Sequence, residues 1–133
     1  MDETDTKIIE YLRKDARMPF LQIARELKVS EGTIRKRVAK MQANNVIKKF
    51  TITLHNRVGA IVGLETDPHK ETKKIVEHLK GVGLKEIYEV TGRFDVICVI
   101  DSTNTEGMND ILEKIRALEG INHTETFTIL KEN

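Results

Sequence analysis

Apolar positions change their period along the chain, and each change marks an element. Residues 5–14, DTKIIEYLRK, place Ile8, Ile9 and Leu12 at helical spacing behind an acidic first turn. Pro19 then interrupts the pattern and marks a boundary. Residues 20–27, FLQIAREL, put Phe20, Ile23, Ala24 and Leu27 at i, i+3, i+4 and i+7, one apolar face of a second helix. Three residues, KVS, follow. Ser30 is placed to N-cap a third helix, in which Ile34, Val38 and Met41 share a face. Two short helices, a three-residue turn and a third helix form a helix-turn-helix pattern. The pair Asn44-Asn45 is suited to terminate the third helix. Helical periodicity is lost over 46–57, VIKKFTITLHNR, which reads as a strand or an extended hinge with Phe50, Ile52 and Leu54 on one side.

Beyond the hinge the chain alternates between the two periods. GAIVGLE (59–65) reads as a strand, and DPHKETKKIVEHLKGVG (67–83) as a helix with Asp67 as cap, Pro68 at its first position and glycines at its end. Ile75, Val76 and Leu79 are its apolar face. KEIYEVT (85–91) and FDVICVID (94–101) are two strands around a short turn. TEGMNDILEKIRALEG (105–120) is a helix with Met108, Ile111, Leu112, Ile115 and Leu118 facing inward, and INHTETFTILK (121–131) is a final strand. The order βαββαβ is the ferredoxin-like arrangement, a four-stranded sheet with helices on one face. The fold class is therefore α+β, with three parts: a helix-turn-helix domain at 1–48, a hinge at 49–57 and a ferredoxin-like domain at 58–133.

Strand 94–101 is apolar on both sides, with Phe94, Val96, Cys98 and Ile100 on one and Ile97 and Val99 on the other. Such a strand is expected to be covered on both faces. The helices cover one. A second copy of the chain, packed sheet against sheet as a two-fold dimer, is the simplest cover for the other.

Charge divides the chain at the same place. Residues 1–57 hold 13 basic and seven acidic residues, a net of +6, while the remainder nets −5 within an overall +1. A basic half joined to an acidic half implies that only the first meets a polyanion. The third helix shows how. Glu31, Gly32, Thr33, Arg35, Lys36 and Lys40 lie off its apolar stripe. A DNA major groove admits one helix, whose N-terminal residues approach base edges while basic side chains meet phosphates. On this reading Glu31, Gly32 and Thr33 lie nearest the base edges, Ser30 belongs to the DNA-binding set as their cap, and Arg35, Lys36 and Lys40 supply phosphate attraction. Arg37, at the stripe's edge, either braces the fold or touches a phosphate. The plainer alternative is a solvated basic face.

Composition narrows the rest. The 133 residues are 39% hydrophobic and 32% charged, a globular profile without a membrane-length apolar run. The single Cys98 has no intrachain partner, which fits a buried thiol in a reducing cytoplasm. His55, His69, His78 and His123 lack ligand spacing, so neither a metal nor a cofactor is expected. No Ser-His-Asp pattern or CxxC is present, and GVGLKE (81–86) closes a helix instead of opening one, so an enzyme is not expected. Few aromatics lie on the strands, which disfavours RNA binding by the sheet.

The stretches DETDTKIIEYLRKDAR, IARELKVSEGTIRKRVAKMQANNVIKKF and YEVTGRFDVICVI resemble the Lrp/AsnC family, the leucine-responsive or feast/famine transcription regulators of bacteria and archaea. The resemblance runs in order over most of the chain. It implies a homodimer that binds palindrome-like double-stranded DNA, often assembling into tetramers or octamers, with DNA binding or assembly modulated by a small molecule, commonly an amino acid. The chain departs from the family's usual pattern in its hinge, because TITLHNRVGAIVGLE passes almost directly into the first sheet strand. In the family a Gly-x-x-Asp loop helps to form the effector site. Here it is Gly92, Arg93, Phe94 and Asp95. Gly92 exposes backbone amides suited to a carboxylate, Arg93 carries a fork that binds carboxylates bidentately, and Asp95 suits an α-amino group. The alternative is a tight turn in which Gly92 merely supplies a positive φ. A second functional reading also stands, an architectural DNA-binding protein of low specificity and without an effector.

Overall fold

The computed structural model describes residues 1–55 and 57–133. It forms two compact units, Met1–Thr53 and Leu54–Asn133. Asn56, inside the expected 49–57 hinge, lies outside the described residues.

The first unit holds three helices, α1 (Glu3–Lys14), α2 (Phe20–Leu27) and α3 (Glu31–Ala43). Helix α1 starts two residues earlier than the apolar spacing predicts. Asp2 caps it by accepting from the Asp5 amide at 2.9 Å, while Asp5 accepts from the Asp2 amide at 3.2 Å, a reciprocal capping box. Helix α2 ends where Lys28 turns left-handed (φ 57°), with the Val29 amide donating to the Ala24 carbonyl. Ser30 caps α3, and its Oγ accepts from the Thr33 amide at 3.1 Å. The other end closes as the Asn pair suggests. Asn45 adopts φ 57°, and the Val46 amide reaches back to the Met41 carbonyl at 2.8 Å. Ile8, Ile23 and Ile34, one from each helix, are fully buried at the centre, with Leu12, Ala24, Val38 and Met41 around them. Burial of each large aliphatic contributes about 1.5–3 kcal/mol against exposure.

Of the two readings of 46–57, the strand is not formed among the described residues. They contain no helix or strand from Lys48 to Arg57. Phe50, Ile52 and Leu54 are exposed.

The second unit is β1 (Val58–Thr66), α4 (Thr72–Lys80), β2 (Glu86–Glu89), β3 (Val96–Ser102), α5 (Thr105–Arg116) and β4 (Ile121–Thr128). The sheet order is β2-β3-β1-β4, and every neighbouring pair is antiparallel. This is the βαββαβ topology expected. Ala60, Val62 and Leu64 of β1 and Val96, Cys98 and Ile100 of β3 face the helices and pack against Ile75, Leu79, Met108, Leu112 and Ile115. Burial pushes the Cys98 thiol up to about 11, as expected of an inert core cysteine.

Two local expectations need correction. Asp67 does not cap α4. Its Oδ1 accepts from the His69 amide at 2.8 Å and its carbonyl from Lys70 at 3.0 Å, so Asp67-Pro68-His69-Lys70 is a separate turn and the helix starts at Thr72 behind Glu71. Phe94 does not share the face of Val96, Cys98 and Ile100. It precedes β3, and its ring covers Gly63, where a Cβ would come within 2.6 Å of ring carbons. Gly63 belongs with Ile61 and Glu65 on the face of β1 turned away from the helices.

That second face carries Tyr88 of β2, Ile97 and Val99 of β3, Ile61 of β1 and Phe127 of β4, followed by Ile129. Ile61, Tyr88, Phe127 and Ile129 are each 40–50% exposed. Exposed apolar side chains on this face are the feature predicted from β3. Thr124, Thr126 and Thr128 pair with Leu64, Val62 and Ala60, which puts the β4 threonines on the helix side.

Candidate nucleic-acid interface and effector loop

The cap and core positions of α3 decide which side chains remain free. Ile34, Val38 and Met41 are buried, which orients Arg35, Lys36 and Lys40 to solvent. Lys36 and Lys40, four residues apart, share one exposed surface, and among the described residues neither has an ion-pair partner. Arg35 is paired with Glu31 one turn back. Ser30 and Thr33 are tied together, since their hydroxyls lie 2.8 Å apart in addition to the cap hydrogen bond. Gly32 is exposed, and a Cβ there would have only Ser30 Oγ nearby, at 3.9 Å. Thr33, Lys36, Arg37 and Lys40 line a shallow groove of ≈ 500 Å³ with Met1, Asp2 and Asp5.

Arg37 takes the first of its two readings in the free protein. Its Nη1 donates to Asp2 Oδ2 at 2.6 Å and to Asp5 Oδ1 at 3.1 Å. The hydrogen bond from Arg37 holds the Asp2 carboxyl below the usual carboxylate range, and the two carboxylates raise the guanidinium in turn. Asp2 and Asp5 were absent from the residues picked out by sequence. The acid-x-x-acid spacing just ahead of Ile8 is the signal that would have found them, as a capping box facing α3.

The 92–95 loop lies between β2 and β3. Gly92 has φ +115° and nothing within 4 Å of a Cβ position, so the positive φ and not crowding is what favours glycine there. Arg93 ion-pairs with Glu125 at 3.0 Å, and its guanidinium carbon sits 5.3 Å from the Phe94 ring centroid. Asp95 Oδ2 accepts from the Thr66 amide at 2.8 Å and from its hydroxyl at 3.2 Å. The Asp95 amide donates to the Leu64 carbonyl, and the Asp95 carbonyl accepts from Val90. Asp95 therefore stitches the loop to the end of β1, where the register shifts between Glu65 and Thr66. Asp95 Oδ1 has no side-chain hydrogen bond among the described residues. Thr66 and Glu125 were also missed. Both contacts run from the loop to other strands, which local sequence pattern does not reveal.

Among the described residues no group of three or more His, Cys, Asp or Glu is placed to hold a metal, and no helix is long and apolar enough to cross a membrane.

Comparison with known proteins places both units. The AsnC-type helix-turn-helix domain matches residues 1–42, and the Lrp/AsnC ligand binding domain matches residues 59–133. The HTH-type transcriptional regulator LysM of Sulfurisphaera tokodaii is 41% identical over 134 residues, covering 98% of this chain and 96% of the relative. LysM of Saccharolobus solfataricus is 39% identical with similar coverage, 98% and 94%. Among solved structures, E. coli AsnC superimposes with a TM-score of 0.79 at 25% identity, over 99% of this chain and 93% of that one. A feast or famine regulatory protein from M. tuberculosis, solved with L-methionine, shares the fold with a TM-score of 0.85 at 18% identity, over 98% and 92% of the two chains. The two LysM relatives are named as transcriptional regulators, a non-enzymatic family, and the two solved structures share the fold described above. The chain belongs to the Lrp/AsnC family of transcriptional regulators.

Proposed function

We propose that this regulator binds double-stranded DNA site-specifically as a homodimer, with α3 as the reading helix, and that an amino acid modulates its DNA binding or assembly. The observation that carries the DNA reading is the free pair Lys36 and Lys40 on the exposed face of α3, a helix whose start is capped and uncrowded. Two unpaired ammonium groups attract phosphates without first breaking an internal bond. Arg35 joins them by exchanging Glu31 for a phosphate, a modest step because an exposed i,i+4 pair contributes only about 0.3–0.5 kcal/mol. Glu31, Gly32 and Thr33 then lie nearest the base edges, with two half-sites about one helical turn, roughly 34 Å, apart.

The dimer reading rests on the uncovered sheet face of Ile61, Tyr88, Phe127 and Ile129. Tetramers or octamers built from that dimer suit the family. The effector reading rests on the 92–95 loop. Gly92 leaves its amides open, Arg93 is 68% exposed at its side chain, and Asp95 keeps Oδ1 for an α-ammonium. The L-methionine bound to the M. tuberculosis protein supports an amino acid as the class of ligand. A cytoplasmic site of action is consistent with the DNA target.

The test is selection of bound fragments from genomic DNA at physiological salt, with and without pooled amino acids. A short recurring inverted repeat supports site-specific regulation, and a shift on adding amino acids supports the effector loop. Uniform recovery of fragments would favour the architectural alternative.

A further inference from the structure

We infer that Arg37 is a positioning residue for DNA recognition, which sets the orientation of α3 by gripping the capping box of α1 and does not itself contact phosphate. This rests on the reading of α3 as the DNA-contacting helix.

Each carboxylate oxygen of Asp2 and Asp5 has a partner. Asp2 Oδ1 accepts from the Asp5 amide and Asp5 Oδ2 from the Asp2 amide. The remaining oxygens, Asp2 Oδ2 and Asp5 Oδ1, both accept from Arg37 Nη1. Arg37 therefore closes a network that already fixes the first turn of α1. On α3 it follows Ile34 by three residues and precedes Met41 by four, so it continues the buried stripe at its solvent edge. Lys36 and Lys40 lie just outside that edge, in the same groove. Rotation of α3 about its axis would carry both lysines with it, and the clasp opposes that rotation where the apolar core ends.

Charge supports the same assignment. Two carboxylates surround one guanidinium, so the clasp is net negative. Taking Arg37 to a phosphate would leave both acids unpaired beside the incoming DNA. Asp5 is the more costly to abandon, since its side chain is only 14% exposed.

The experiment compares the wild type with Arg37→Gln, Arg37→Lys, Asp2→Asn/Asp5→Asn and the triple variant. The probe is a DNA fragment recovered by genomic selection, against a scrambled fragment of equal length, over a salt series. Positioning predicts that Arg37→Gln and the double Asp variant each lose roughly tenfold in selectivity, that the triple variant is no worse than either, and that Arg37→Lys recovers part of the loss. The log–log salt slope stays that of the wild type, because no phosphate contact is removed. A slope shallower by about 2 per dimer in Arg37→Gln, with unimpaired selectivity in the Asp variant, would make Arg37 a phosphate contact and overturn the inference. Unchanged selectivity in every variant would overturn it as well. If Arg37→Gln fails to fold, Arg37→Lys and the Asp pair decide by the same two readouts. A wild type without selectivity for any fragment would instead remove the parent reading of α3.

Discussion

The carboxylate of Asp95 holds Thr66 by two hydrogen bonds, 2.8 Å to the backbone amide and 3.2 Å to the hydroxyl, and so fastens the β2–β3 loop to the end of β1. A residue that the family resemblance points to as an effector contact thus has structural work in the free chain. Asp95→Ala removes both hydrogen bonds at an exposed site, and the expected loss is about 1 kcal/mol, or roughly 5 °C in the melting temperature of a unit this size. Asp95→Asn keeps an oxygen acceptor and should recover most of that. Loss of an amino-acid response in Asp95→Asn, with its melting temperature near the wild type, would separate the charge needed for a ligand from the hydrogen bond needed for the loop.

Gly32 separates folding from recognition in the opposite direction. A Cβ there meets only Ser30 Oγ at 3.9 Å, so Gly32→Ala fits the free helix. The substitution should stabilise the first unit by about 0.4–1 kcal/mol by restricting the unfolded chain. If the start of α3 approaches base edges closely, the same methyl group weakens DNA binding. Thermal melting and DNA titration of the one variant check both effects, and a gain in both would argue against close approach at Gly32.

The Phe94 ring over Gly63 is a packing relationship with a measurable consequence. Gly63→Ala puts a Cβ where the ring carbons now lie, 2.6 Å away, and must displace Phe94. The expected cost is about 1–3 kcal/mol. Phe94→Ala in the same chain should make Gly63→Ala nearly neutral, a coupling that denaturant unfolding of the double-mutant cycle measures.

The uncovered sheet face leads to an assembly prediction. Phe127→Asp or Ile61→Asp places a charge among Tyr88, Ile97 and Val99 without touching the helix-side core. Either should leave the circular dichroism spectrum intact and convert a dimer to a monomer by light scattering. A dimer that survives both substitutions would have to form elsewhere on the chain.

Much of this was legible in the sequence for identifiable reasons. The helices of the first unit announce themselves through pairs at helical spacing, Ile8 with Leu12, Ile23 with Leu27 and Ile34 with Val38 and Met41, with Ser30 and Asn45 as end signals. The sheet order follows from βαββαβ, and the apolar double face of β3 foretold an uncovered surface. What escaped was carried by individual side-chain contacts, one of them local and the others between residues far apart in the chain. Asp67 satisfies a cap's composition, yet its carboxylate turns to His69 and builds a separate turn. Phe94 continues the alternation of β3 on paper, but the missing side chain at Gly63 offers its ring a seat on the other face. Arg37 remained ambiguous between brace and phosphate contact because its partners, Asp2 and Asp5, lie more than 30 residues away. The acidic pair itself was readable; its contact with α3 was not.

The central claim is that α3 meets DNA phosphates through Lys36 and Lys40, joined by Arg35. The most direct measurement is the salt dependence of DNA binding by the wild type and by Lys36→Ala/Lys40→Ala. Four to six phosphate contacts per dimer predict a log–log slope of about −4 to −5 for the wild type. Loss of both lysines should make the slope shallower by about 4, with the melting temperature unchanged. A wild-type slope near zero, or one indifferent to the two lysines, would contradict the account.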